Sequence, residues 1–113
     1  PQDILERFKE LENSFEISIF VIGSAVIAPI YEELLFRGII FPTLIQKTNF
    51  TIALVLSSLI FAVLHFHLSA LLPLFVLSII LSITYLYTST IWASISLHAL
   101  FNLISIIAVK FIS

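Results

Sequence analysis

After residue 16 the sequence almost stops using charge. The 97 residues that follow hold only Glu32, Glu33, Arg37, Lys47 and Lys110 as charged side chains. The first sixteen hold the other seven: Asp3, Glu6, Arg7, Lys9, Glu10, Glu12 and Glu16. A soluble domain is about 25% charged, whereas this chain is 11% charged and 60% hydrophobic. So few charges cannot cover a water-facing surface, and the solvent for residues 17–111 must be lipid. The fold expected is an all-α membrane protein, a bundle of about four transmembrane helices preceded by an amphipathic interfacial helix.

Residues 1–16 carry that amphipathic helix. Ile4, Leu5, Phe8, Leu11 and Phe15 recur at helical spacing with charges between them, as in a juxtamembrane helix lying at the bilayer surface. The transmembrane core then occupies 17–113, with apolar segments at 17–46, 50–67, 70–88 and 90–111. About 20 helical residues cross a hydrocarbon core of roughly 30 Å. The breaks are "KTN" (47–49), a weaker one near "HLS" (67–69), and "TST" (88–90). The first segment is too long for one straight span, since thirty residues reach about 45 Å. Pro29 gives it a cause for a kink that could admit water, and Pro42 marks where it should fail. Pro73 falls in the first turn of the third span, where proline is tolerated.

Several function classes drop out. No basic patch exists to neutralise phosphates, so nucleic acid is not an expected partner. Cysteine is absent, which removes disulfides, iron–sulfur clusters and thiol nucleophiles. The chain starts with Pro1 and shows no signal peptide, so it reads as an excerpt of a longer protein. With four spans, Arg7, Lys9 and Lys110 share one side and Lys47 the other, which favours cytoplasmic termini.

The charges inside the first span need an explanation. An ionisable side chain at mid-membrane costs about 2.5–3.5 kcal/mol on insertion scales. Glu33 and Arg37 are four residues apart, share a helix face and can pair. Glu32 points about 100° away around the helix and is left over. In the second segment Phe61 and His65 share a face, with Ser57 and Ser58 extending it, while His67 should point nearly the opposite way and sit at the interface. In the fourth, His98 and Asn102 share a face, with Ser94 one turn before. Each set alone could be a helix-packing network. Together, a carboxylate, a histidine, and a histidine with an amide on three helices are most cheaply satisfied by meeting at one interior site.

Such a set suits amide hydrolysis. A glutamate assisted by a histidine takes a proton from water, and a histidine and an asparagine donate to the developing oxyanion. Glu32, His65 and His98 could equally hold Zn²⁺ with an open water position. The residues alone leave both routes open.

"EELLFR" (residues 32–37), "FAVLH" (61–65) and "HALFN" (98–102) follow EExxxR, FxxxH and HxxxN in that order. They resemble the CPBP intramembrane proteases, which include the CAAX prenyl endopeptidases and the bacterial Abi proteins linked to bacteriocin processing or self-immunity. The resemblance covers about residues 17–111. It implies an integral protein of a bacterial cytoplasmic membrane that cuts a lipidated or membrane-associated protein or peptide near its C-terminus. Glu32 would activate water with help from His65, His98 and Asn102 would form the oxyanion site, and Glu33, Arg37 and Phe61 would support them. That mechanism requires no metal, with zinc as the other possibility. Two further readings are a non-catalytic immunity or binding protein on the same scaffold, and a fragment of a proton-coupled transporter.

Overall fold

The computed structural model describes residues 2–112. Helix α1 is Gln2–Lys9. A continuous helix α2 runs Ser14–Lys47, α3 is Phe50–Val63, α4 is Leu71–Thr88 after a 3₁₀ turn at Leu68–Ala70, and α5 is Ile91–Phe111. The amphipathic helix expected over 1–16 is therefore interrupted. Asn13 starts a new helix by accepting from the backbone N–H of Phe15 at 2.8 Å and Glu16 at 3.4 Å, which satisfies donors with no intrahelical partner. The breaks at 47–49 and 88–90 are capped in the same way. Asn49 accepts from Ile52 N–H at 2.9 Å and Thr90 from Trp92 N–H at 3.2 Å.

Helices α2, α4 and α5 are long and apolar enough to cross a membrane. The second apolar segment yields 14 residues of helix, about 21 Å, short of a roughly 30 Å hydrocarbon core. It leaves its helix after Val63, before the histidines at 65 and 67. Large apolar side chains such as Ile19, Leu59, Val76 and Ile104 point outward, whereas Ser57, Ser58, Ser78, Ser82 and Ser94 are buried between helices. Small residues let backbones approach closely where lipid offers no hydrophobic drive for association.

Both prolines in α2 are accommodated without ending the helix. Wide π-turns occupy Gly23–Ile27 and Phe36–Ile40. Each closes with a bond to the carbonyl five residues back, Ala28 N–H to Gly23 and Phe41 N–H to Phe36. Pro29 and Pro42 directly follow those closing residues. The wider turn makes room for a ring that would clash in α-helical register. Pro42 thus does not mark the helix end, because α2 continues to Lys47. At Pro29 the chain stays helical, and the disturbance lies in the turn before the proline.

The far end of α5 returns to α1. Lys110 Nζ donates to the backbone carbonyls of Phe8, Lys9 and Leu11 and lies 5.3 Å from the Phe8 ring centroid. Phe8 stacks on Phe20 of α2 at 4.5 Å. A lysine over the carbonyls at the end of α1 complements the helix dipole there, and it fixes α1 across α2 and α5.

Candidate active site

The three motif sets meet. Glu33 is fully buried, and its Oε2 accepts from Arg37 Nη1 at 3.1 Å and from His98 Nδ1 at 2.8 Å. Arg37 Nη2 reaches α4, donating to the Ser78 carbonyl at 2.6 Å and to its hydroxyl at 2.7 Å. The ion pair expected within the first span is present, and it extends further: through Glu33 it orients a histidine on α5. Phe61 is the apolar wall of this network. Its ring lies edge-on to Phe36 at 5.1 Å and to His98 at 5.8 Å, and the Arg37 guanidinium carbon is 5.1 Å from its centroid.

Glu32 has the other environment. Its side chain is 30% exposed, against 0% for Glu33, and it lines a cavity of about 430 Å³. Its two oxygens face two imidazoles, Oε1 at 3.5 Å from His65 Nε2 and Oε2 at 3.4 Å from His98 Nε2. The hydrogen bonds at the far ring edges define these histidines. His65 Nδ1 is 2.7 Å from the Phe61 carbonyl, which can only accept, so Nδ1 bears a proton. His98 Nδ1 likewise donates to Glu33. In the neutral rings both Nε2 atoms are therefore bare and basic, and both face Glu32. A proton reaching this point has three bases within one small space to rest on.

Asn102 is placed by a break in the backbone ladder of α2. Ala28 N–H is taken by Gly23, and Pro29 has no N–H, so the Ser24 carbonyl lacks a helical donor in either register. Asn102 Nδ2 supplies it across the interface at 2.8 Å. One amide proton is thereby anchored, and the other remains for the cavity that Asn102 lines.

Sequence reasoning placed Glu32, His65, His98 and Asn102 on one site, and all four line this cavity. It missed Ser24, Ser78 and His67. Ser78 and Ser82 had a signal, being four residues apart in a largely apolar span. The Ser24 carbonyl is usable only because of a π-turn, which no residue spacing announces. His67 also lines the cavity, contrary to the expectation that it turns away from His65. That expectation assumed helix through 67, but the chain has left α3 and Phe66 is left-handed (φ 57°).

Glu32, His65 and His98 were also the candidate zinc ligands. Among the described residues no group of three His, Cys, Asp or Glu side chains is arranged to hold a metal ion.

The chain matches the family described as Type II CAAX prenyl endopeptidase Rce1-like over residues 14–104, a range containing all three motifs. It is 37% identical over 86 residues to the "Putative membrane peptidase YdiL" of Bacillus subtilis (strain 168), a match covering 76% of this chain and 35% of that protein. It is 36% identical over 93 residues to the "Membrane-embedded CAAX protease MroQ" of Staphylococcus aureus (strain USA300), covering 77% and 38%. The chain thus spans little more than a third of the length of these curated relatives. No solved structure matches it.

Proposed function

The chain belongs to the Rce1-like CAAX prenyl endopeptidase family, and from that premise we propose that it carries the hydrolytic core of an intramembrane endopeptidase. Its substrate is a lipidated or membrane-associated protein or peptide, cut near the C-terminus, and it works in a bacterial membrane like those of the organisms its relatives come from. The observation that carries this reading is a cavity-facing Glu32 whose two oxygens each lie within 3.5 Å of the Nε2 of a differently anchored histidine.

In this mechanism Glu32 takes a proton from a water molecule, and the hydroxide formed attacks the scissile carbonyl carbon. His65, held by Phe61, shares that proton. The negative charge that develops on the carbonyl oxygen is met by the second amide proton of Asn102, and by His98 when a proton rests on its Nε2. The C–N bond then breaks as the proton passes to the leaving amine. Glu33, itself paired with Arg37, holds the Nδ1 proton of His98, so Nε2 is the nitrogen left to take up and give the second proton. The route calls on no metal ion.

The test compares protein termini in membranes from cells expressing the full-length parent or its Glu32→Gln variant, by terminal-peptide mass spectrometry. New C-termini present only with Glu32 are expected. Identical termini at equal protein abundance would overturn the protease reading in favour of a binding or immunity role on the same scaffold.

Pro29→Ala tests how Asn102 is placed. Alanine returns an N–H to α2 that competes for the Ser24 carbonyl and releases the amide. Turnover should fall by up to about 10²-fold, the cost of a small misplacement, with helix content unchanged by circular dichroism. Unchanged turnover would mean that Asn102 needs no anchor.

A further inference from the structure

Between α3 and α4 the sequence reads LHFHLS (residues 64–69), apolar and polar in strict alternation. The backbone carries that alternation to opposite sides. His65, His67 and Ser69 line the cavity with Glu32. Leu64, Phe66 and Leu68 turn away from it and are 50%, 84% and 89% exposed. Phe66 takes a left-handed conformation (φ 57°) that a non-glycine residue seldom adopts, and His67 is extended (φ −129°, ψ 113°). Extended chain sends successive side chains to opposite faces. The segment is therefore one residue thick, with the cavity on one side and an apolar row on the other.

The depth of that row follows from helix lengths. α3 begins, α4 ends and α5 begins at one end of the bundle, where Lys47, Phe50, Tyr87 and Trp92 are exposed. Aromatic and basic side chains gathered in this way mark a membrane–water interface. From that end α5 rises through 21 residues, about 31 Å, enough to cross a roughly 30 Å hydrocarbon core. α3 rises through only 14 residues and α4 through 18, about 21 Å and 27 Å. Residues 64–70 join the tops of these two shorter helices, so they sit several ångströms below the far surface of the core.

Irregular chain survives at membrane depth only where its backbone is satisfied or lines a polar cavity. Both conditions are met. The N–H groups of Leu64, His65, Phe66 and Ala70 donate to the carbonyls of Ile60, Ala62, Val63 and His67 at 3.0–3.3 Å, and the histidines face the cavity. The outward row is a poor seat for another helix. Helices of this bundle meet through small side chains such as Ser57, Ser58 and Ser78. Phe66 and Leu68 instead project well beyond Leu59 and Val63 on α3, which are 44% and 49% exposed. Projecting apolar side chains fit fluid acyl chains, which flow around them.

We propose that residues 64–69 form a lipid-binding partition. Leu64, Phe66 and Leu68 insert among the acyl chains of the surrounding bilayer, below its surface, and hold the polar side of the same segment against the Glu32 cavity. A single thickness of backbone then separates that cavity from hydrocarbon.

The test measures depth by electron paramagnetic resonance. This chain contains no cysteine, so a nitroxide is attached at Phe66→Cys or Leu68→Cys in the full-length protein, with any cysteine elsewhere replaced by serine. In phosphatidylcholine vesicles, collisions are compared for O2, which partitions into hydrocarbon, and for a water-soluble nickel chelate. Leu59→Cys is the reference for lipid and Trp92→Cys for the interface. The oxygen-to-nickel ratio at 66 and 68 should match that at 59 and exceed that at 92 severalfold. A ratio at or below that of position 92 would place the row in water and overturn the proposal. Few collisions with either reagent would show a protein cover, whether another helix of the chain or a second copy, and would overturn it as well. Should Phe66→Cys fail to fold, judged by helix content, Leu68→Cys decides alone. No substrate is involved, so the outcome is independent of the protease reading.

Discussion

Glu32→Gln is expected to lower turnover by about 10²–10⁴-fold, the usual contribution of a positioned general base, while leaving the protein inserted and equally stable. The amide keeps the shape of the carboxylate and can still meet both imidazoles, so packing gives no reason for loss. It cannot accept the proton from water. Glu33→Gln should behave differently, because Glu33 is fully buried and touches Arg37 and His98. Its loss should appear first as lower thermal stability and only then, through a less firmly held His98, as slower turnover. Measuring kcat per folded molecule for both variants separates the two carboxylates. Near-normal cleavage by the Glu32 variant, or indistinguishable behaviour of the pair, would sink the assignment of the base.

That one of two adjacent glutamates is buried against Arg37 while the other faces the cavity was legible in the sequence. Their 100° separation, with Arg37 four residues beyond Glu33 alone, determines which one pairs and which is spare. The meeting of Glu32, His65, His98 and Asn102 was legible too, because so few other polar groups exist in the apolar segments to satisfy them. What could not be read depends on departures from regular helix. Spacing arguments assume a constant turn, and they fail at the π-turn before Pro29 and after α3 ends at Val63. The first departure exposes the Ser24 carbonyl that anchors Asn102. The second turns His67 back into the cavity. Proline hinted at the first, whereas a left-handed Phe66 has no signature in its own side chain. The second apolar segment also read as longer than its 14-residue helix, since Leu64 and Phe66 are apolar whether or not they are helical.

Arg37→Ala should be the most destabilising single change in the core. Arg37 and Glu33 have side chains 1% and 0% exposed, so removing the guanidinium strands a carboxylate where water cannot reach it. Breaking a buried pair in this way costs about 3–5 kcal/mol, a fall in Tm on the order of ten degrees in detergent. The guanidinium also ties α2 to α4 through two bonds to Ser78. Arg37→Lys should recover only part of the loss, because one ammonium lacks the planar fork that serves Glu33 and Ser78 at once. The double change Glu33→Gln with Arg37→Met should be more stable than Arg37→Ala alone, since no charge is left stranded, and glutamine can still accept from His98 Nδ1. A Tm for Arg37→Ala equal to that of the parent would show that the pair does not hold the core together. A double variant worse than either single one would show that the charges themselves, rather than their mutual neutralisation, maintain the site.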